Sequence, residues 1–303
     1  MSKVYIACGH GVSDNGSWDP GCVYGSHTEA DLMLPITRAF VRFARYNGIT
    51  VYTDSKTDRH QNMNACIREA NRIGVDAYIS LHCDYSGAPT GTYPYYYAGS
   101  KKGKKLASSL NQSVMKMMSL KTRGLHASKT LGELTNTNAT ACIFETGSIK
   151  ADLKLFQNNP KRYGLALARG LCDYFGMDFS FLIKPKMNLL IRKSASLKSK
   201  KVGTLDKNGV YRITELSADG TRGKTSTGWV TVTPKYVDQV STDSTFTIQT
   251  KMKLLVRETA SLGSEKSGSL DGQYKITQIS HDGTRGKTSS GWITITDKYV
   301  TFI

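Results

Sequence analysis

Ala77-Tyr-Ile-Ser-Leu81-His82 decides the reading of this chain, because a short strand-forming run passes straight into a histidine. Val4-Tyr-Ile-Ala-Cys8 does the same and meets Gly9-His10, and Ala141-Cys-Ile-Phe144 meets Glu145. Residues 49–52 form a further strand, and residues 91–98 extend again. Helical stretches lie between. One follows a Gly-rich loop that ends near Ser26 and runs to about Asn47, with Met33, Ile36, Phe40 and Phe43 on one face and Pro35 expected to kink it. Others cover residues 62–73, Lys101–Met118 and Pro160–Phe175. Strands alternating with helices imply an α/β domain over residues 1–178, with a mainly parallel, twisted sheet covered by helices on both faces. Its boundary is expected near residues 177–185.

Beyond that boundary the chain repeats itself. Met187-Asn-Leu-Leu-Ile-Arg192-Lys-Ser-Ala-Ser-Leu197 returns as Met252-Lys-Leu-Leu-Val-Arg257-Glu-Thr-Ala-Ser-Leu262. Asp219-Gly-Thr-Arg222-Gly-Lys-Thr-Ser-Thr-Gly-Trp229 returns as Asp282-Gly-Thr-Arg285-Gly-Lys-Thr-Ser-Ser-Gly-Trp292. The period is about 65 residues, closing to about 63. Within each copy, apolar and polar residues alternate after Tyr211 and Trp229, and again after Tyr274 and Trp292, with Gly and Asp between. Two small all-β barrels follow, over residues 186–238 and 250–303, joined by the polar linker Asp238-Gln-Val-Ser-Thr-Asp-Ser-Thr245.

Composition bounds the function. With 303 residues, 39% hydrophobic and 21% charged, the chain is an ordinary globular protein of two or three units. No run approaches the roughly 20 apolar residues of a membrane span, and the opening residues are too short an apolar run for a signal peptide. The expectation is a protein made and kept inside the cell, in the cytoplasm, unless something else releases it. The net charge of +17 includes about +10 in residues 181–303, a balance that favours polyanions such as nucleic acid or anionic wall polymers. No nucleic-acid-binding motif accompanies it, so nucleic acid is not expected as a partner. The six cysteines all precede residue 173 and form no C-x-x-C pair, so free thiols are expected.

Ligands of open α/β sheets gather at the carboxyl ends of the strands. His10, His82 and Glu145 end strands, and Glu29 opens the first helix at the same rim. Two histidines and a carboxylate suit zinc with a position left for water, and a further carboxylate suits a general base. Each residue also has a plainer reading. Ser26-His-Thr-Glu29 is a capping box, His10 and His82 fit satisfied polar residues, and Glu145 fits an exposed strand end. Their convergence weighs against all four at once. Among the other histidines, His27 is expected to point away from the site and His60 to face solvent. His281 lies in a repeat turn where the first copy has Ala218. His126 is a lesser candidate for substrate contact, and Trp18 for a wall of the groove.

Cys8-Gly-His10-Gly, Asp19-Pro-Gly-Cys22 and Thr28-Glu29-Ala-Asp31-Leu-Met-Leu34 resemble the opening of the type 3 N-acetylmuramoyl-L-alanine amidases. Arg68-Glu-Ala-Asn71, Ala77-Tyr-Ile-Ser-Leu-His82-Cys-Asp84 and Cys142-Ile-Phe-Glu145-Thr-Gly147 resemble that family's later motifs, in the same order. The resemblance covers about the first 178 residues. It implies that His10, Glu29 and His82 bind Zn2+, that Glu145 is the catalytic glutamate, and that the bond broken joins N-acetylmuramic acid to L-alanine in peptidoglycan. The family pattern has Pro at Cys8 and Asn at Asp84. Cys8 is therefore weighed as an additional ligand, and Asp84 as a charge beside the metal.

Asn188-Leu-Leu-Ile-Arg192, Lys253-Leu-Leu-Val-Arg257, Gly228-Trp229 and Gly291-Trp292 resemble bacterial SH3-type domains, which implies wall binding. Arg222, Trp229, Arg285 and Trp292 are the candidate contacts there, although the arginine segments fit recent duplication equally well and the tryptophans fit the barrel core. The combined expectation is a phage endolysin acting on Gram-positive walls. A host autolysin of the same chemistry and a non-catalytic wall-binding protein are the alternatives.

Overall fold

The computed structural model describes residues 2–240, 246–280, 283–296 and 298–303, in two compact units that divide at Phe179 and Ser180. His281, Asp282 and linker residues 241–245 lie outside the described residues.

The first unit is built on a six-stranded sheet. Its strands are β1 (Lys3–Cys8), β2 (Thr50–Tyr52), β3 (Ala77–Asp84), β4 (Tyr93–Tyr97), β5 (His126–Ser128) and β6 (Thr140–Ser148), in the order β2-β1-β3-β6-β4-β5. All neighbours are parallel except β6 and β4. Its helices are α1 (Glu29–Tyr46), α2 (Met63–Ile73), α3 (Lys101–Met118), α4 (Gly132–Thr135), α5 (Leu153–Asn158) and α6 (Pro160–Phe175).

Alternation along the central strands sorts side chains to the two faces. Tyr5, Ala7, Tyr78, Ala141 and Ile143 pack with Cys66, Ile67 and Ala70 of α2 and Leu134 of α4. On the other face α6 packs between α1 and α3. Met33, Ile36, Phe40 and Phe43 of α1 are at most 1% exposed, which fixes that face of the helix toward the core. The helix continues across Pro35 as one element. The fold class is the expected α/β arrangement with a mostly parallel sheet.

The start of α1 settles the capping question. Thr28 is the N-cap, its hydroxyl accepting from Asp31 N–H at 3.1 Å and donating to the Asp31 carboxylate at 2.7 Å. Glu29 is thus the first helical residue rather than the far end of a capping box, and its side chain is released for other work.

The second unit is all-β among the described residues, and its two copies are laid out alike. Phe181–Pro185 pairs with Tyr211–Ile213 and Val237–Val240, as Phe246–Thr250 pairs with Gln273–Ile276 and Val300–Phe302. A five-stranded sheet completes each copy, with Arg192 opposite Trp229 and Arg257 opposite Trp292. The first strand of each copy therefore begins ahead of residues 186 and 250. Asp238, Gln239 and Val240, expected in the linker, belong to a strand. Leu182 and Val210 of the first copy share a core with Phe246, Ile248, Ile276 and Phe302 of the second.

Candidate metal centre and active site

Three elements meet at the carboxyl edge of the sheet. His10 leaves β1, Glu29 opens α1, and His82 sits near the end of β3, in register with Glu145 on β6. His10 Nε2 lies 3.1 Å from one Glu29 oxygen and His82 Nδ1 lies 3.0 Å from the other. Potential ligand atoms of all three residues lie within 4.8 Å of one another.

Local backbone chemistry makes this approach possible. His10 has φ 67°, a left-handed conformation that costs a non-glycine residue energy and recurs at functional sites. A Cβ on Gly9 would stand 2.5 Å from His82 Nδ1. A Cβ on Gly21 (φ +67°) would stand 2.5 Å from His10 Cδ2 and 2.7 Å from a Glu29 oxygen. Only glycine fits at either position.

Each histidine is fixed from behind by a second carboxylate. His10 Nδ1 faces Asp19 at 2.9 Å, and His82 Nε2 faces Glu133 at 3.2 Å. Glu133 projects from α4 and also accepts from Tyr78 Oη at 2.7 Å and Ser80 Oγ at 3.0 Å. Residues 78, 80 and 82 share one face of β3, so a single buried carboxylate collects all three side chains. Glu29 is only 3% exposed, and its two oxygens accept from the backbone amides of Cys22 and Cys83.

The electrostatics favour a cation. Burial works to raise the Glu29 pKa, but His10 and His82 overcome it and hold the carboxyl well below its ordinary range. Burial likewise opposes charge on His82, and Glu133 and Glu29 outweigh it, raising the imidazole well above its usual value. His10 is raised for the same kind of reason. Two imidazoles, each with one nitrogen against a backing carboxylate and the other turned to Glu29, are a donor set that fits a divalent metal.

Glu145 has a different setting. Its Oε2 is enclosed and has no hydrogen-bond partner. Burial pushes its pKa up to about 7. His82 opposes the shift, and the charges of Glu29 and Asp84 add to it. An enclosed carboxylate oxygen with a free lone pair and a pKa near neutrality is suited to taking and returning a proton.

Of the other residues weighed from the sequence, His60 departs from expectation. His60 is 1% exposed rather than solvent-facing, because its ring fills the space under the His10 loop, 3.3 Å from the Gly9 carbonyl and edge-on to Trp18 at 5.3 Å. Cys8 is buried against the Ala30 carbonyl and is not in the cluster. Asp84 pairs with Arg123 at 2.8 Å, so its charge is met by a guanidinium beside the site. His126 stacks on Tyr93 at 3.6 Å. His27 lies 3.4 Å from the Gln157 side chain. Arg123 and Glu133 carry no local sequence signal of a site, since each arrives from a distant loop or a four-residue helix.

Arg222 and Arg285 of the second unit are turned inward. Arg222 is 6% exposed and Arg285 4% exposed. Arg222 donates to the Thr231 hydroxyl and the Trp229 carbonyl, and Arg285 donates to the Thr294 hydroxyl and the Trp292 carbonyl. Their shared sequence is accounted for by this internal framework, which leaves the guanidiniums off the surface as wall contacts. Trp229 and Trp292 are half-buried.

Comparison with known proteins agrees with this geometry. The N-acetylmuramoyl-L-alanine amidase family model matches residues 4–173, more than half of the chain, and the protein belongs to that family. A sporulation-specific N-acetylmuramoyl-L-alanine amidase of Bacillus subtilis is 31% identical over 99 residues. That match covers 32% of this chain and 36% of the relative, about a third of its length. The solved amidase AmiC2 of Nostoc punctiforme shares the fold with a TM-score of 0.51 at 22% identity, covering 58% of this chain and 97% of that one. The catalytic domain of the amidase CwlV from Bacillus (Paenibacillus) polymyxa var. colistinus also gives a TM-score of 0.51, at 21% identity and 58% and 99% coverage.

Proposed function

We propose that this protein hydrolyses the amide between N-acetylmuramic acid and L-alanine in peptidoglycan, with zinc held by His10, Glu29 and His82. The observation that carries the reading is the convergence of these three donors with Glu145, whose enclosed oxygen has no partner. Bound zinc would supply Lewis acidity to the scissile carbonyl and to water in such a site.

The chain's own residues do the rest. Asp19 and Glu133 hold the two imidazoles in one orientation. Glu145 Oε2 accepts the proton of the attacking water and returns it to the departing alanine nitrogen. The Arg123 guanidinium holds Asp84 beside the site, so that Asp84 adds less negative charge there.

We further propose that the duplicated unit is a pair of SH3-type wall-binding modules and that the protein is a lytic enzyme of the phage type, held in the host cytoplasm until release and directed at Gram-positive walls. The basic charge of residues 181–303 supports attraction to anionic wall polymers, and two linked modules raise avidity.

The test is digestion of purified Gram-positive peptidoglycan, with separate assays for new alanine amino groups and new reducing ends. Amino groups without reducing ends are expected. New reducing ends would mean glycosidase chemistry and would overturn the proposal, and tight wall binding without cleavage would make the chain a binding protein.

A further inference from the structure

The two backbone amides that clamp Glu29 both belong to cysteines. Cys22 N–H donates to one carboxylate oxygen at 3.1 Å and Cys83 N–H to the other at 3.0 Å. The side chains of the two cysteines also meet. Their sulfurs and a Glu29 oxygen lie within 4.8 Å of one another. The half-exposed Cys22 thiol donates to the Cys83 carbonyl at 3.3 Å. Cys83 is 2% exposed. The other four thiols are buried away from this pair: Cys8 lies against the Ala30 carbonyl, Cys66 against the Gln61 carbonyl, and Cys142 and Cys172 are fully enclosed.

We propose that Cys22 and Cys83 are an oxidisable dithiol that closes to a disulfide and thereby loosens the clamp on Glu29, weakening the metal centre. The second half rests on the reading of His10, Glu29 and His82 as metal ligands. The first half does not.

A disulfide needs the sulfurs at about 2.05 Å, closer than the thiols stand, so one backbone must give way. Cys83 is in the central strand β3, whereas Cys22 lies in the loop between two short ribbons, Gly11–Val12 with Trp18–Asp19 and Val23–Tyr24 with His27–Thr28. The movement therefore falls on Cys22, whose amide holds the Glu29 oxygen that faces His10.

The oxidant is a small disulfide such as glutathione disulfide. The accessible Cys22 thiolate attacks one oxidant sulfur, forming a mixed disulfide and releasing one thiol. Cys83 then attacks the Cys22 sulfur, its proton passing to the departing thiolate, which leaves as the second thiol. One S–S bond breaks and one forms, and two electrons pass from the dithiol to the oxidant.

The experiment incubates the full chain, zinc-loaded and zinc-stripped, with glutathione disulfide, blocks the remaining thiols and maps the peptides. A Cys22–Cys83 link that dithiothreitol reverses is expected. Zinc affinity, read by competition with a chromogenic chelator, should fall about 10-fold or more in the linked protein, the usual cost of losing an outer partner of a metal ligand. By reciprocity, zinc should disfavour the link by the same factor. Cys22→Ser should form no link, and its zinc affinity should not respond to the oxidant. No link, a link to another cysteine, or a link with unchanged zinc affinity would overturn the proposal. A reduced chain that binds no zinc would instead overturn the metal reading and the second half with it.

Discussion

Both units bury charged side chains, and they use them in opposite ways. In the repeats, the Arg222 and Arg285 guanidiniums are closed over by the Thr and Trp groups of their own sheets. At the rim of the first unit, His10 and His82 each stand between a backing carboxylate and the shared Glu29, and Glu145 Oε2 is held by nothing. A buried polar group that closes on its neighbours specifies a fold. One left open, with its supports already in place, is set to receive something else.

The sharpest way to break this contrast is Glu145→Gln. Amide hydrolysis should fall by about 10²–10⁴-fold, the usual contribution of a general base, while the zinc content measured on the purified protein stays the same. Retained activity would remove Glu145 from that role. Glu133→Ala comes next. It should weaken zinc binding about 10- to 100-fold, read by chelator competition. Asp19→Ala should cost less, because the Asp19 side chain is 49% exposed and the Glu133 side chain 5%; an equal or larger loss would show that burial does not rank the two supports.

Arg222→Ala tests the other half of the contrast. It should destabilise the second unit by about 1.5–3 kcal/mol, the usual worth of a hydrogen bond to a charged group, seen in denaturant unfolding. Cleavage of a small soluble muramoyl-peptide by the first unit should be untouched. Unchanged stability with lost wall binding would put the guanidinium on the ligand instead.

The smallest effect is in pH. Glu145 has a folded pKa of about 7 against an ordinary 4.5. Its carboxylate is the competent form, so activity should rise with pH with a midpoint no higher than about 7, because a bound cation lowers it, and then level as far as this group is concerned. For stability the sign is opposite. The raised pKa favours the folded state most below about 4.5, and that contribution is lost as pH rises through 7. Metal-free Glu145→Gln should therefore lose less stability than the parent between pH 5 and 8, and parallel curves would remove burial of this carboxyl as the cause.

The rim was legible in the sequence because strand ends are legible. His10, His82 and Glu145 each follow a short apolar run, and a parallel sheet brings such ends together whatever their separation along the chain. Glu29 was ambiguous, since its place in a capping pattern and its place in the site look the same until Thr28 and Asp31 are seen to cap the helix. Glu133 and Arg123 were not legible. Each is positioned by tertiary packing alone, and Leu131-Gly-Glu133-Leu-Thr gives no periodic cue to a buried carboxylate. His60 misled because the residue before a helix is usually solvated, whereas here it carries the loop above it. Arg222 and Arg285 were open in the sequence between ligand contact and duplication, and their burial favours an internal role, since identity between two copies marks whatever the fold needs twice, including its interior.

The most direct test of the account is a zinc titration of the chelator-stripped protein, with activity on purified peptidoglycan measured at each step. Activity should be absent without metal and rise in proportion to zinc up to one ion per chain, and His82→Ala should bind none at the same concentrations. Full release of alanine amino groups by protein shown to hold no metal would contradict it.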